Sequence, residues 1–414
     1  MIREEIPAPA SARTGPATRG ADPRADVLLD PDIVPAAPAP SAPRRSGSDR
    51  RVLLTGATGF LGAFLLRELL DRTDDDVWCL VRADTPQHAR HRLQETMRRY
   101  LLWDADTAAR IVPITGDLTR PRLGLAPRQW SRLAERVDVI QHSGARVSHV
   151  AGYEPLRDAN VRGTAEVLRL ACADHVKPVH FVSTAALSTD PVDPAGQPPP
   201  PGTPAAGYVT SKWVAERLVL QAGERGVPVA LYRPGRISGH SITGACQLDD
   251  AIWNLVRAVV LLGAAPDVTV AQVSFTPVDH VARAIVRGQA ANRPVAPVRY
   301  LVNSSGMPLR ELFGHVANRF PIDTVPPDVW LTRLWDARHG YDGALTRASL
   351  LLASYRALLG GAARPPIGDA GVAPDGAGDA DIASPPIDGG LINAHLDYFE
   401  SVGFLPSAAT QSPA

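Results

Sequence analysis

Thr55-Gly56-Ala57-Thr58-Gly59-Phe60-Leu61-Gly62 follows directly on the run Arg51-Val52-Leu53-Leu54. It opens a segment in which Phe60, Leu61, Phe64, Leu65 and Leu69 recur at helical spacing. A glycine-rich turn leading from a strand into a helix is the phosphate-binding device of dinucleotide folds. Gly56 permits the tight turn, Gly59 lets backbone approach a pyrophosphate, and Gly62 allows close helix–strand packing. The spacing, G-x-x-G-x-x-G, is one residue longer than the commonest form of the motif.

Outward from this turn the chain alternates short apolar runs with helical patterns. Strands are expected at 51–55, 76–81, 111–115, 137–141, 179–184 and 228–232, with helices at 60–72, 86–102, 127–135, 160–174 and 208–225. Near-continuous apolar strands imply a sheet covered on both faces, and the alternation implies parallel crossovers. The expected fold is α/β, a Rossmann-type doubly wound parallel sheet. Beyond residue 240 the rhythm breaks into helices at 247–262, 308–319, 329–337, 344–359 and 390–402, with strand-like pieces at 268–275 and 298–303. This predicts a smaller, mostly helical C-terminal region, 241–406, that covers the substrate and returns elements to a sheet near 268–305. Residues 49–240 form the nucleotide-binding domain, 1–48 a flexible Pro/Ala-rich tail or linker, and 407–414 a tail. Within the linker, Val27 to Val34 is an apolar island able to dock on the folded body. The proline-rich stretch 190–204 reads as a surface loop, and 360–390 as a mobile connection.

Composition narrows the function. Lys+Arg and Asp+Glu are both 43, so the net charge is zero, which argues against a nucleic-acid binder or a basic membrane-surface protein. Cys79, Cys172 and Cys246 are far apart, against a disulfide scaffold or a zinc site, and His142, His149 and His180 lack ligand spacing. No metal is expected. No apolar run is long enough to span a membrane, and MIREEIPAPA is unlike a signal peptide. A cytoplasmic protein is the expectation.

Three further features carry chemistry. The second strand ends Cys79-Leu80-Val81-Arg82, where an acid would bind the ribose of NAD; Arg82, with Arg92 on the next helix, suits a 2′-phosphate and hence NADPH. Tyr208 and Lys212 are four residues apart at the start of a helix, so they share a face. There the ammonium is expected to lower the phenol pKa toward working pH. The chain has two lysines, Lys177 and Lys212, against 41 arginines, so a lysine here marks a position where a guanidinium will not serve. Thr184, in Val182-Ser183-Thr184-Ala185, supplies a hydroxyl at the end of the preceding strand.

Together these pieces resemble the extended short-chain dehydrogenase/reductases. The ordered series TGATGFLGAFLL, CLVRAD, ITGDL, HSGARVSHVAGYEPLRDANVRGTAEVLRLA, VKPVHFVSTAAL, GYVTSKWVAERLV and LYRPGRISG, from 55 to 239, resembles the thioester reductase domain that ends non-ribosomal peptide synthetases and carboxylic acid reductases. LLDPDIVP upstream, FTPVDHVARAIV and LINAHLDYFESVGFLP downstream also fit. The resemblance implies Thr184, Tyr208 and Lys212 as the catalytic set. It implies Gly56, Thr58, Gly59, Phe60 and Leu61 at the pyrophosphate and Arg82 with Arg92 at the 2′-phosphate. Asp117 and Leu118 would border the adenine, with Ser143, Gly144, Ala145, Asn160, Ser183, Pro234 and Gly235 along the rest of the cofactor. It implies NADPH-dependent reduction of an acyl or peptidyl thioester on a phosphopantetheine carrier protein, releasing an aldehyde or, after a second hydride, an alcohol.

A fatty acyl-CoA reductase is the alternative, since both substrates end in phosphopantetheine. A sugar-nucleotide epimerase or dehydratase shares the glycine and Tyr-Lys motifs, but Arg82 argues against tightly held NAD. A non-catalytic NADP-binding regulator is disfavoured by the intact Thr184, Tyr208 and Lys212. Ser238-Gly239-His240-Ser241-Ile242 imitates a carrier's serine motif but follows the cofactor-binding sheet instead of opening a helical domain. The chain shows no carrier or adenylation sequence, so it is expected to act in trans or to be a piece of a larger synthetase. Arg310, Arg319, Arg333 and Arg338 are the expected carrier-docking cluster.

Overall fold

The computed structural model describes residues 22–36, 50–148, 150–187, 206–269, 271–290, 298–303, 305–359 and 384–407. The expected loop 190–204, residues 360–383 of the expected connection 360–390, His149, and most of the outer tails lie outside the described residues.

Seven parallel strands form the central sheet: β1 (Arg51–Thr55), β2 (Asp76–Val81), β3 (Ile111–Thr115), β4 (Val139–His142), β5 (Val179–Val182), β6 (Val229–Pro234) and β7 (Val298–Leu301). Their spatial order is β3-β2-β1-β4-β5-β6-β7. The order reverses between β1 and β4, so a crevice opens past their carboxyl ends. Helices α1 (Phe60–Arg72), α2 (Pro86–Arg99), α3 (Pro127–Arg136), α4 (Glu154–Arg157), α5 (Gly163–Cys172) and α6 (Ala206–Glu224) intervene between the first six strands. A π-helical turn, Asp158–Arg162, joins α4 to α5.

Strand side chains alternate between the two faces. Val52, Leu54, Val77, Cys79 and Val81 pack with α1 and α2, whereas Leu53, Trp78, Leu80, Ile140 and Phe181 pack with α3, α5 and α6. The sheet is therefore buried on both sides, which is why its strands read as apolar runs.

After β6 come α7 (Ala251–Leu262), α8 (Val278–Ala290), α9 (Leu309–Ala317), α10 (Pro327–Asp336), α11 (Thr346–Leu350), α12 (Leu352–Leu359) and α13 (Gly389–Ser401). Helix α8 is absent from the helices expected from sequence, although Val278, Val281, Ala282 and Ile285 carry helical spacing and are buried. The strand-like reading of 268–275 reduces to the two-residue pairing of Gln272–Val273 with Met307–Pro308. The piece at 298–303, by contrast, supplies β7. The C-terminal helices share the apolar cluster on the α1 face instead of building a separate core.

The apolar island before the domain docks. Leu29 and Ile33 are buried against the α5–α6 face. Asp26 accepts hydrogen bonds from Tyr153 Oη (2.6 Å) and Arg157 Nε (2.6 Å), and Arg225 donates to the carbonyls of Leu29, Asp30 and Ile33.

Candidate active site

The carboxyl ends of β1, β2 and β4–β6 open into a cleft of about 920 Å³. Gly56 stands at its base with φ +79°, and a Cβ there would lie 2.7 Å from Gly144 N. A Cβ on Gly62 would lie 1.9 Å from Gly56 O, so both positions exclude a side chain. Gly59 is the N-cap of α1 and brings no side chain to its first turn, leaving the cleft wall of Gly59, Phe60 and Leu61 to a ligand. A backbone cradle at a helix N-terminus fits a pyrophosphate.

Thr55 and Gly144 hold the cradle to the next strand: Gly144 N–H donates to Thr55 Oγ1 at 3.0 Å, and Thr55 Oγ1 meets His142 Nδ1 at 2.7 Å. His142 Nε2 lies 3.0 Å from Thr164 Oγ1, which donates to Asn160 O at 2.7 Å. That last donation fixes the direction of the chain, with Nε2 carrying the imidazole proton. Burial, with the nearby Lys212 charge, lowers the His142 pKa to about 3, so the ring is neutral. Neither Thr55 nor His142 stands among the sequence candidates; polar residues closing apolar strands are the signal that marks them.

At the β2 end, Arg82 is exposed, and Arg92 donates to the Arg82 carbonyl; both residues line one edge of the cleft. A side recess of about 510 Å³ adds Arg120 and His88 to this edge, together with Asp84 and Asp117. Asp84 is 99% exposed and lies 4.0 Å from His88. Asp117 accepts from Thr119 N–H and Oγ1 (2.9 and 2.8 Å) and so shapes its own turn beside Leu118.

The opposite end holds Thr184, Tyr208 and Lys212 in the same cleft wall as Ser143, Ala145, Ser183, Pro234 and Gly235. Asn160 does not line it. Its side chain is buried, receiving Arg146 N–H (2.6 Å) and donating to Arg146 O and Ser211 Oγ (both 2.9 Å), so it props the 143–147 loop against α6. Lys212 Nζ donates to Val182 O at 2.6 Å and sits 4.0 Å from the centre of the Phe181 ring. Burial lowers its pKa to about 7, opposed by the Glu216 carboxylate, while burial pushes the Tyr208 phenol up to about 12. This corrects the expected lowering of the phenol by the ammonium: loss of solvent is the cause of the shift, and it moves the phenol upward, so Tyr208 keeps its proton.

Beyond Tyr208 and Lys212 the wall passes to Arg236, Ile237, Gln247, Asp249 and Asp250, none foreseen from sequence. Asp250 caps α7 and bonds Arg236 at 2.9 Å, while Asp249 pairs with Arg347. The expected arginine cluster does not form one free surface. Arg319 is held by Asp397 (2.7 Å) and Glu400 (3.2 Å), and Arg338 stacks on Trp335 at 4.0 Å. Ser241 lies in a turn, its hydroxyl donating to Asp279 at 2.7 Å. Cys79, Cys172 and Cys246 are buried thiols, and the described residues contain no group of three metal-ligating side chains. No described helix is long and apolar enough to cross a membrane.

Sheet, cradle and cleft define a dinucleotide-binding protein of the Rossmann-type class. The family described as male sterility protein, an NAD-binding family, matches residues 54–285. A linear gramicidin synthase polypeptide of Brevibacillus parabrevis is 42% identical over 314 residues, covering 74% of this chain and 6% of that protein. Isonitrile lipopeptide synthase of Streptomyces coeruleorubidus is 36% identical over 99% of this chain and 28% of its own length. The chain thus spans under a third of these relatives. The solved terminal R domain from the myxalamid PKS-NRPS biosynthetic pathway matches with a TM-score of 0.77 and 35% identity, over 93% of this chain and 98% of that one. The chain belongs to the male sterility protein family, within its branch of non-ribosomal peptide synthetase terminal reductase domains.

Proposed function

We propose that the chain uses NADPH to reduce an acyl or peptidyl thioester carried on the phosphopantetheine arm of a carrier protein, releasing an aldehyde. The observation that carries this reading is the shared cleft: glycine cradle, Arg82–Arg92 edge and Thr184–Tyr208–Lys212 line one continuous wall. Gly56, Thr58, Gly59, Phe60 and Leu61 would hold the pyrophosphate, Arg82 and Arg92 the 2′-phosphate, and Lys212 the nicotinamide ribose. Once bound, the cofactor supplies hydride to the thioester carbonyl.

The residues do the rest. Tyr208, half-buried in the cleft wall with its phenol pKa raised, donates its Oη proton to the carbonyl oxygen as charge develops there, and Thr184 Oγ1 donates a second hydrogen bond. Collapse of the thiohemiacetal expels the carrier thiol and leaves the aldehyde, and a second reduction in the same cleft would give the alcohol. The similarity to linear gramicidin synthase and isonitrile lipopeptide synthase, both peptide-making enzymes by name, supports the carrier over free CoA as the thiol. Remote docking of a carrier can raise kcat/KM without touching the reacting carbon.

Turnover on a carrier-bound acyl chain, on the matching CoA ester and on the free aldehyde tests the reading. Carrier preference, weakened by salt, is expected; equal kcat/KM for the CoA ester at low and high salt would make the protein an acyl-CoA reductase.

A further inference from the structure

Behind the catalytic wall lies an ion pair that the proposed chemistry does not use. Arg233, on β6, is fully buried, and Glu216, on α6, is 3% exposed. The guanidinium grips the carboxylate through two nitrogens, Nη2 to Oε1 and Nε to Oε2 at 3.2 Å. Arg233 Nη1 also donates to Tyr300 Oη on β7 at 2.5 Å, above the Tyr300 ring. Ser183 Oγ donates to Glu216 Oε2 at 2.5 Å. Ser183 N–H in turn donates to Tyr232 O at 2.7 Å, while Val182 O, one residue earlier, receives Lys212 Nζ. Val182, the last residue of β5, and Ser183 after it are therefore held by Lys212 and Glu216, one helical turn apart. The next residue is Thr184.

We propose that Glu216, held by Arg233, is the positioning residue of the catalytic set: it fixes the β5 end that presents Thr184 and supplies the negative charge that balances Lys212. The inference rests on the catalytic assignment above. A buried ion pair is by itself a poor source of stability, because desolvating both charges offsets their attraction and an apolar pair of similar volume serves the fold as well. This pair instead reaches three strands and the catalytic helix. Around the Lys212 ammonium stand Tyr208 and Glu216 on its own helix, the neutral His142 from β4, the Phe181 ring from β5, and Arg233 from β6 behind Glu216. Glu216 is the one anion in this set. Its carboxylate opposes the lowering of the Lys212 pKa by burial, and Gln at this position keeps the hydrogen-bonding shape while removing the charge.

With two lysines in the chain, 13C-labelled lysine gives two Cε signals to titrate in cofactor-free protein. Glu216→Gln is expected to lower the Lys212 midpoint by about one pH unit or more, leaving Lys177 as the unmoved internal standard. The alkaline limb of the kcat profile then moves to lower pH, since the charged amine is lost earlier. The double variant Glu216→Met/Arg233→Met is expected to melt close to the native protein while kcat stays down by about tenfold or more. If Glu216→Gln does not fold, the double variant carries the same titration. An unchanged Lys212 midpoint, or a double variant that regains turnover along with stability, overturns the proposal. Absence of turnover in the native protein would instead overturn the catalytic reading, and the titration stands apart from it.

Discussion

At the β2 end of the cleft, Arg82 is exposed and Arg92 half-buried, and Arg120 and His88 share the same edge. At the β5–β6 end, Lys212 is 3% exposed and Arg233 is fully buried. The arginines and His88 of the β2 end stand at the solvent edge of the cleft. The buried lysine is held by Val182 O and the Phe181 ring, and burial, opposed by the Glu216 carboxylate, brings its pKa down to about 7. Lys177, the other lysine, follows the same rule: it is buried, donates to the carbonyls of Ala173 and His175, and has its pKa lowered by burial to about 8. Recognition of an anion tolerates solvent, whereas proton and ribose chemistry need groups whose acidity the surroundings have moved.

The largest test of this contrast is Tyr208→Phe. The ring and the cradle remain, so cofactor binding should persist while reduction falls by roughly 10²-fold or more. Single-turnover rates beside cofactor titration check it; near-normal turnover would put the proton donor elsewhere. Next in size is Arg82→Glu at the exposed end. NADPH is expected to bind about tenfold or more tighter than NADH to the native protein, one charge-assisted contact being enough for that ratio. The substitution should shrink or invert the preference without slowing the chemical step at saturation, and equal affinity in the native protein would remove Arg82 from the site.

Acid sharpens the same comparison through stability. Burial depresses the pKa of His142 to about 3 and of His180 and His395 to about 4. Below pH ~6.5 the unfolded chain takes up protons that these folded imidazoles refuse, so their contribution is present above that value and lost as pH falls toward 4. Melting temperature should therefore drop steadily from pH 7 to pH 5, and less steeply in His180→Gln. A flat profile would mean these rings are solvated. The smallest effect is expected at Asp26→Ala, which frees Tyr153 and Arg157 from the docked N-terminal segment. A loss of about 1 kcal/mol, or roughly 2–4 °C in Tm, with unchanged turnover is expected from calorimetry and assay.

Much of the architecture is legible locally. The six strand runs and the helices between them lie within a few residues of where alternation places them, because apolar period and length are local properties. Helix α8 escaped through the strand-like reading just before it, and the helix expected over 344–359 breaks at Leu351 into α11 and α12. In the cleft, Gly56, Arg82, Thr184, Tyr208 and Lys212 are marked by motif and spacing. Arg236, Gln247, Asp249 and Asp250 carry no such mark, since they reach the wall only when the chain after β6 folds back over the sheet.

The sequence by itself determined what depends on neighbours along the chain: the βα rhythm, the glycine turn that no Cβ can enter, and a tyrosine and lysine on one helix face. Tertiary structure alone decided which distant groups meet and how dry their surroundings are. Arg319, a free cation on paper, is paired with Asp397 and Glu400 from α13. Tyr208, expected to be made more acidic by Lys212, is made less so by burial, because desolvation is summed over everything packed around a group and not over its sequence neighbours. Glu216 and Arg233 are ordinary letters until β5, β6, β7 and α6 close on them and leave each as the other's counter-charge.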